Sequence, residues 1–442
     1  MIAIRADLLD FTAAPRWGDT GDGGHSGHGG EPAVRWRPDH WLLVDAQGRI
    51  AGVQPGAVEP GPAYARDDQR GRLLLPGFID THVHSPQIEV IASFGTELLD
   101  WLQRYTFPAE RAWADPAVAA AGSARFLDAL LAHGTTAAVV FPTVHKGSAE
   151  ALFQAAQQRG MRLVAGKVLM DRHAPDGLRD DDLAQAERDC VDLIERWHGR
   201  GRNAYAVTVR FAPTSTPAQL AMAGALCRAD ASLYLQTHVA ENRVEVQWVQ
   251  RLFPAARSYL DVYAQAGLLH PRSVLAHGIW LDEADLGTLR DSGAQIAFCP
   301  SSNLFLGSGL MDWPQRQAAG VAVSVGSDVG GGTSLSLPRT LADGYKVQAL
   351  AGHRLTAWTA LHAATRGAAD ALKLAHEIGS LDAGCLADVC LWDWSRDAVG
   401  ERRLAVAQDL HEKLFAWMTL ADAGHLAATY VAGRRLYTRA DR

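Results

Sequence analysis

A chain of 442 residues, 48% hydrophobic and 21% charged, is long enough for one large enzyme domain with an accessory domain, and this composition excludes disorder along most of its length. The formal net charge of -7 gives no general electrostatic footprint for nucleic acid or an anionic membrane, so a small-molecule partner is expected. Five cysteines (Cys190, Cys227, Cys299, Cys385 and Cys390), with no Cys-x-x-Cys pair, point to buried thiols and not to a disulfide framework or a zinc ribbon.

The opening run Met1 to Phe11 carries Arg5 and Asp7 and lacks the continuous apolar stretch of a secretory leader. It reads as a strand, and a cytoplasmic location is expected. No segment approaches the ~18 to 20 uncharged apolar residues that cross a bilayer as a helix. Further strand-like runs, including Trp41-Leu42-Leu43-Val44 before a turn at Gly48, make residues 1 to 72 the first part of a small β-sandwich domain. Gly21 to Gly30 (GDGGHSGHGG) reads as a loop; ordering it would be costly, so His25 and His28 are given no role.

From residue 73 to 375 apolar runs alternate with Ala-rich amphipathic segments, the pattern of repeated β-α units. Eight runs stand out, near Phe78, Ala138, Val164, Val207, Leu235, Leu275, Ala297 and Val323. Eight units over this length predict a (β/α)8 barrel, whose catalytic groups sit at the C-terminal ends of its strands. Residues 376 to 442 return to β-like material, with Val389-Cys390-Leu391-Trp392 and Thr429-Tyr430-Val431, and complete the β-sandwich begun by the N-terminus.

The chemistry lies at those strand ends. His82-Val83-His84 follows an apolar strand, whose alternation puts both imidazoles on one face, where they can chelate one ion. His238 follows Leu235-Gln236-Thr237, His277 follows Val274-Leu275-Ala276, and Asp328 follows Val323-Ser324-Val325. Any one of these alone is as readily a core histidine or a surface acid. Placed alike at five positions, they suit Zn2+, one per subunit, and less selectively Fe2+. Such an ion lowers the pKa of a bound water towards about 7. Glu241, three residues after His238, reaches the same cavity without being a ligand and is the expected proton shuttle; a helix-start carboxylate is the plain alternative. Asp328 combines ligand and base.

Pro76-Gly77-Phe78-Ile79-Asp80-Thr81-His82-Val83-His84-Ser85-Pro86-Gln87 resembles the first-strand motif of the metal-dependent amidohydrolase superfamily. Trp101-Leu102-Gln103-Arg104-Tyr105-Thr106-Phe107-Pro108-Ala109-Glu110, Arg210-Phe211-Ala212-Pro213-Thr214-Ser215 and Phe298-Cys299-Pro300-Ser301-Ser302-Asn303 are similar to its guanine deaminase family. That resemblance implies a homodimeric zinc aminohydrolase of purine catabolism that converts guanine to xanthine and ammonia. It implies that His82, His84, His238, His277 and Asp328 hold the metal and that Glu241 and Asp328 move protons. It also implies that Gln87, Arg210 and Phe211 hold the base beside His84, His238, Glu241 and Asp328. An amide, a guanidinium and a phenyl ring suit that task.

A deaminase or chlorohydrolase of another aminated heterocycle, such as a triazine, would use the same ligands. The His-x-Glu and Pro-Cys-x-x-Cys motifs of the cytidine-deaminase site do not occur. A noncatalytic relative would lack ligands, whereas this chain retains all five and Glu241. Lys167 invites comparison with the carboxylated lysines that bridge two metals, but a mononuclear site does not need it.

Overall fold

The computed structural model describes residues 1–21, 32–94 and 98–440. His25 and His28 lie outside these residues. Contacts divide the chain into two compact units, one of residues 1–79, 128–137 and 336–442, the other of residues 80–127 and 138–335. Four strands open the chain: β1 (Ile2–Phe11), β2 (Val34–Val44), β3 (Ile50–Pro55) and β4 (Ala65–Pro76). Then come β5 (Phe78–His84), β6 (Thr135–Phe141), β7 (Arg162–Ala165), β8 (Val168–Leu169), β9 (Asn203–Val209), β10 (Tyr234–Val239), β11 (Ser273–His277), β12 (Gln295–Phe298) and β13 (Val323–Val325). The chain closes with β14 (Val389–Trp392), β15 (Leu426–Val431) and β16 (Arg434–Thr438).

In the first unit the strands run in the order β16-β15-β14-β4-β1-β2-β3, so both chain ends share one seven-stranded sheet. Alternate residues of β1 and β4, such as Ile4, Ala6, Leu8 and Leu74, meet Leu42, Val389, Leu391 and Tyr430 in a buried cluster. Burial of alternate positions is what the pleat requires of a half-buried strand. The turn between β2 and β3 needs its glycine: Gly48 has φ +77°, and a Cβ there would lie 2.1 Å from the carbonyl oxygen of Ala432.

The other sheet runs β13-β12-β11-β10-β9-β7-β6-β5, with β8 paired to β9 off this path. Each strand but β8 corresponds to one of the eight apolar runs, and the pairs from β7 to β13 are parallel. β5, β6, β9, β11 and β12 are buried at every position, the polar Asp80, Thr81, His82 and His84 of β5 included, so they show no alternation of buried and exposed residues. Several of the intervening helices start on a side-chain cap. Leu183–Trp197 starts on the Asp182 carboxylate and buries Ala186, Cys190, Leu193 and Trp197 on one stripe.

Bonds between the two ends of this sheet close the ring. Thr81 Oγ1 donates to the Val325 carbonyl at 3.0 Å and the Asp328 amide to the His82 carbonyl at 2.8 Å. The Asp80 carboxylate accepts from the Ser327 amide at 3.0 Å and its hydroxyl at 2.5 Å. A Cβ on Gly326 would fall 2.7 Å from that of His82, so glycine is what lets the two ends approach. The (β/α)8 barrel and the β unit built from both chain ends are both present.

Candidate metal centre and active site

The strand period and the barrel geometry together deliver the donors. His82 and His84 leave the same face of β5, while Val83 between them is fully buried on the other. His238 lies inside β10, His277 is the last residue of β11, and Asp328 stands three residues beyond β13. His277 and Asp328 take left-handed backbone conformations, φ +70° and +50°, which non-glycine residues adopt at a cost of about 1 to 3 kcal/mol and chiefly at functional sites.

All five side chains converge. His84 Nε2 and His238 Nε2 face each other at 3.2 Å, and Asp328 Oδ1 lies 3.1 Å from His82 Nε2 and 3.3 Å from His84 Nε2. Asp328 Oδ2 is 3.6 Å from His277 Nε2. One donor atom each from His82, His84, His238 and Asp328 lies within 4.8 Å of the others. The Nε2 atoms of His82 and His277 are buried and have no well-directed hydrogen-bond partner. Buried nitrogens left this way cost free energy unless something else binds them. Three or four imidazoles with one carboxylate, turned inward and orphaned, fit a single divalent ion.

The surroundings prepare that role. His277 Nδ1 bonds Asn303 Oδ1 at 2.9 Å and His238 Nδ1 the carbonyl oxygen of Arg210 at 2.5 Å, contacts that orient the rings and leave each Nε2 free. Burial lowers His84 to about 3 and holds His238 well below the ordinary histidine range, so both stay neutral, the form that ligates.

Glu241 stands at the rim of the cluster. Its Oε2 is 3.4 Å from His277 Nε2, and its Oε1 accepts from the Ser308 hydroxyl at 2.8 Å. Burial, then repulsion from Asp328, pushes its carboxyl up to about 8. Glu241 immediately precedes helix Arg243–Leu252 but does not cap it; Asn242 and Glu245 form a reciprocal capping box there.

A cavity opens on this cluster, lined also by Gln87, Leu98, Trp101, Leu102, Arg210, Phe211 and Leu306. Its apolar walls with a few polar groups suit a small planar ligand. Phe211 is backed edge-on by Trp248 at 6.1 Å between ring centroids. Gln87 and Arg210 are joined by a residue given no separate role above, Glu110. Its Oε1 accepts from Gln87 Nε2 at 3.0 Å and its Oε2 from Arg210 at 2.6 Å. Sequence offers little to single it out, because a glutamate inside a helix is ordinary; only its place in the Trp101 to Glu110 motif marked it. Asp80 and Asn303 likewise stand in quoted motifs without a role of their own, and Ser308 lies outside them. Cys299 too stands in the Phe298 to Asn303 motif, and its buried thiol lies within 4.8 Å of donor atoms of His82, His277 and Asp328. Lys167 lies elsewhere, paired with Asp180 at 2.5 Å.

The Amidohydrolase family model matches residues 73–436. Guanine deaminase of Escherichia coli (strain K12) is 44% identical over 412 residues, 92% of this chain and 93% of that one. The chain belongs to the amidohydrolase family, among its guanine deaminases. Among solved structures, guanine deaminase of E. coli superimposes with a TM-score of 0.92 at 39% identity, covering 99% of both chains. Guanine deaminase from Bradyrhizobium japonicum gives 0.93 at 31%, again covering 99% of both.

Proposed function

We propose that this amidohydrolase converts guanine to xanthine and ammonia, with Zn2+ as the ion held by His82, His84, His238, His277 and Asp328. The observation that carries the reading is the joining, in one buried cavity, of an orphaned histidine–carboxylate cluster, a proton-bearing Glu241 and the Gln87–Arg210–Phe211 wall. A divalent ion on those ligands supplies polarisation of a water into a nucleophile at neutral pH.

The chain's own groups do the rest. Phe211 covers a face of the purine, and Gln87 and Arg210 offer hydrogen bonds to its heteroatoms, which sets C2 towards the cluster. Asp328 accepts the proton that the attacking water gives up. Glu241, protonated near neutral pH, delivers its proton to the ring nitrogen beside C2 and shares in carrying a proton to the departing amine. Water adds at C2, the C2–N bond breaks, and ammonia leaves with the protons passed through these two carboxyl groups. Positioned acid–base groups of this kind contribute about 10² to 10⁴ in rate.

The same reading takes the protein as a cytoplasmic homodimer of purine catabolism, with residues 1–72 and 376–442 as a β-sandwich domain and 73–375 as the catalytic barrel. Metal analysis of the purified protein, with a screen of guanine, adenine, cytosine and melamine-like amines, tests the activity. Turnover of guanine with a stoichiometric divalent metal is expected; turnover of a triazine but not guanine would overturn it.

A further inference from the structure

Arg210 is 3% exposed and Glu110 is fully buried, and Arg210 shares the cavity wall with Trp101 and Leu102. Both contacts to Arg210 come from one face of helix Phe107–Ala112: the Phe107 ring lies 5.3 Å from its guanidinium carbon, and Glu110, three residues on, bonds its terminal nitrogen. Arg210 lines the cavity and Glu110 does not. Among the described residues lining the cavity, Arg210 is the one cationic side chain apart from the histidines. The second carboxylate oxygen fixes Gln87. A carboxylate only accepts, so the amide nitrogen of Gln87 must face Glu110, and its oxygen then takes the Gly330 amide at 3.1 Å. Each group keeps its remaining hydrogen-bonding capacity for a ligand.

A guanidinium buried without a counter-charge attracts anions strongly, because the surroundings screen it little. Under the proposed function that matters, because substrate and product differ in acidity. Xanthine carries a ring carbonyl where guanine has its amino group, and gives up a ring proton more readily. We propose that Glu110 is a positioning residue that determines specificity: by neutralising Arg210 and locking the Gln87 amide, it makes the cavity favour a neutral purine over an anionic one. The site thereby reads the heteroatoms of guanine without retaining its more acidic product.

The inference rests on the reading of the cavity as a purine site, so its test uses binding and does not depend on turnover. Dissociation constants of xanthine and of hypoxanthine are measured by calorimetry on metal-loaded wild-type enzyme and on Glu110→Gln, at a pH where xanthine is partly ionised and hypoxanthine neutral. Preference for xanthine over hypoxanthine is expected to rise roughly tenfold or more in the variant. Glu110→Asp, which keeps the charge on a shorter stem, is expected to weaken both ligands while leaving their ratio near wild type. If Glu110→Gln does not fold, the wild-type enzyme carries the test, its xanthine affinity falling relative to hypoxanthine as pH rises and xanthine ionises, and no such fall overturns the proposal. An unchanged ratio in Glu110→Gln, or a ratio shifted equally by Glu110→Asp, overturns the proposal and leaves the purine site standing. If wild-type enzyme binds neither purine, both fall.

Discussion

Two buried polar groups face one cavity and are finished in opposite ways. In the Gln87–Glu110–Arg210 group the carboxylate is satisfied by its neighbours, at 3.0 and 2.6 Å. In the histidine cluster the Nε2 atoms of His82 and His277 lie near carboxylate oxygens but have no well-directed hydrogen bond. The first closes on itself through a carboxylate shared by an amide and a guanidinium; the second turns four imidazoles and the Asp328 carboxylate towards one point. Such a gap among buried polar groups calls for a physical reason, and a bound ligand supplies one. The difference separates residues that do chemistry from residues that hold the substrate still, and each can be broken without the other.

Removing the metal should have the largest effect. Chelation is expected to abolish guanine turnover, by roughly 10³-fold or more, and Zn2+ should restore it. Circular dichroism should change little, since the barrel has its own core. Full activity in a demonstrably metal-free sample would contradict the mechanism. Next comes Glu241→Gln, which keeps shape and the Ser308 contact but not the titratable proton. A kcat loss of about 10² to 10⁴ with metal content unchanged is expected; a change confined to KM would make Glu241 a binding group instead.

On the other side of the comparison, Arg210→Met should leave metal loading intact while the kcat/KM ratio of guanine to an analogue lacking the 6-oxo group falls by about 10². Retention of the wild-type ratio would show that Arg210 does not read that edge. Smaller again is Asn303→Ala. Loss of its bond to His277 Nδ1 should weaken metal affinity by about 10- to 100-fold in competition with a chelator, with purine selectivity among the loaded molecules unchanged.

What sequence made legible follows the same division. The five candidate ligands could be read because each belongs to a residue type that binds metal and each sits at the end of an apolar run, so two independent signals coincided. The eight barrel strands were legible for a similar reason: a fully buried parallel strand carries a mainly apolar run, such as Ala137 to Phe141 in β6. The two-residue β8 was too short to leave such a trace. Asn303, Ser308 and Asp80 act through partners distant in sequence; Asp80 meets Ser327 across 247 positions, and nothing local announces that meeting. Glu110 was hidden by its own helix, where glutamate is an ordinary residue. Its importance comes from burial, which periodicity in a short segment does not reveal.

The smallest expected effect is also the cleanest control on the reading of Arg210 and Glu110. Arg125 and Glu89 form a pair of the same chemistry in the same unit, at 3.0 Å, but their side chains are 59% and 49% exposed, whereas those of Arg210 and Glu110 are 4% and 0%. In water the attraction of such a pair is screened and offset by the entropy of ordering two long side chains, leaving about 0 to 1 kcal/mol. Burial removes that screening, and deleting one partner then leaves an uncompensated charge, at a cost of about 3 to 5 kcal/mol. Arg125→Ala should therefore move the urea midpoint by little, whereas Glu110→Ala should lower it clearly, with the slope of the transition unchanged in both. If the two variants lose equal stability, the cavity wall is more hydrated than its burial implies, and the low-dielectric argument for Arg210 fails with it.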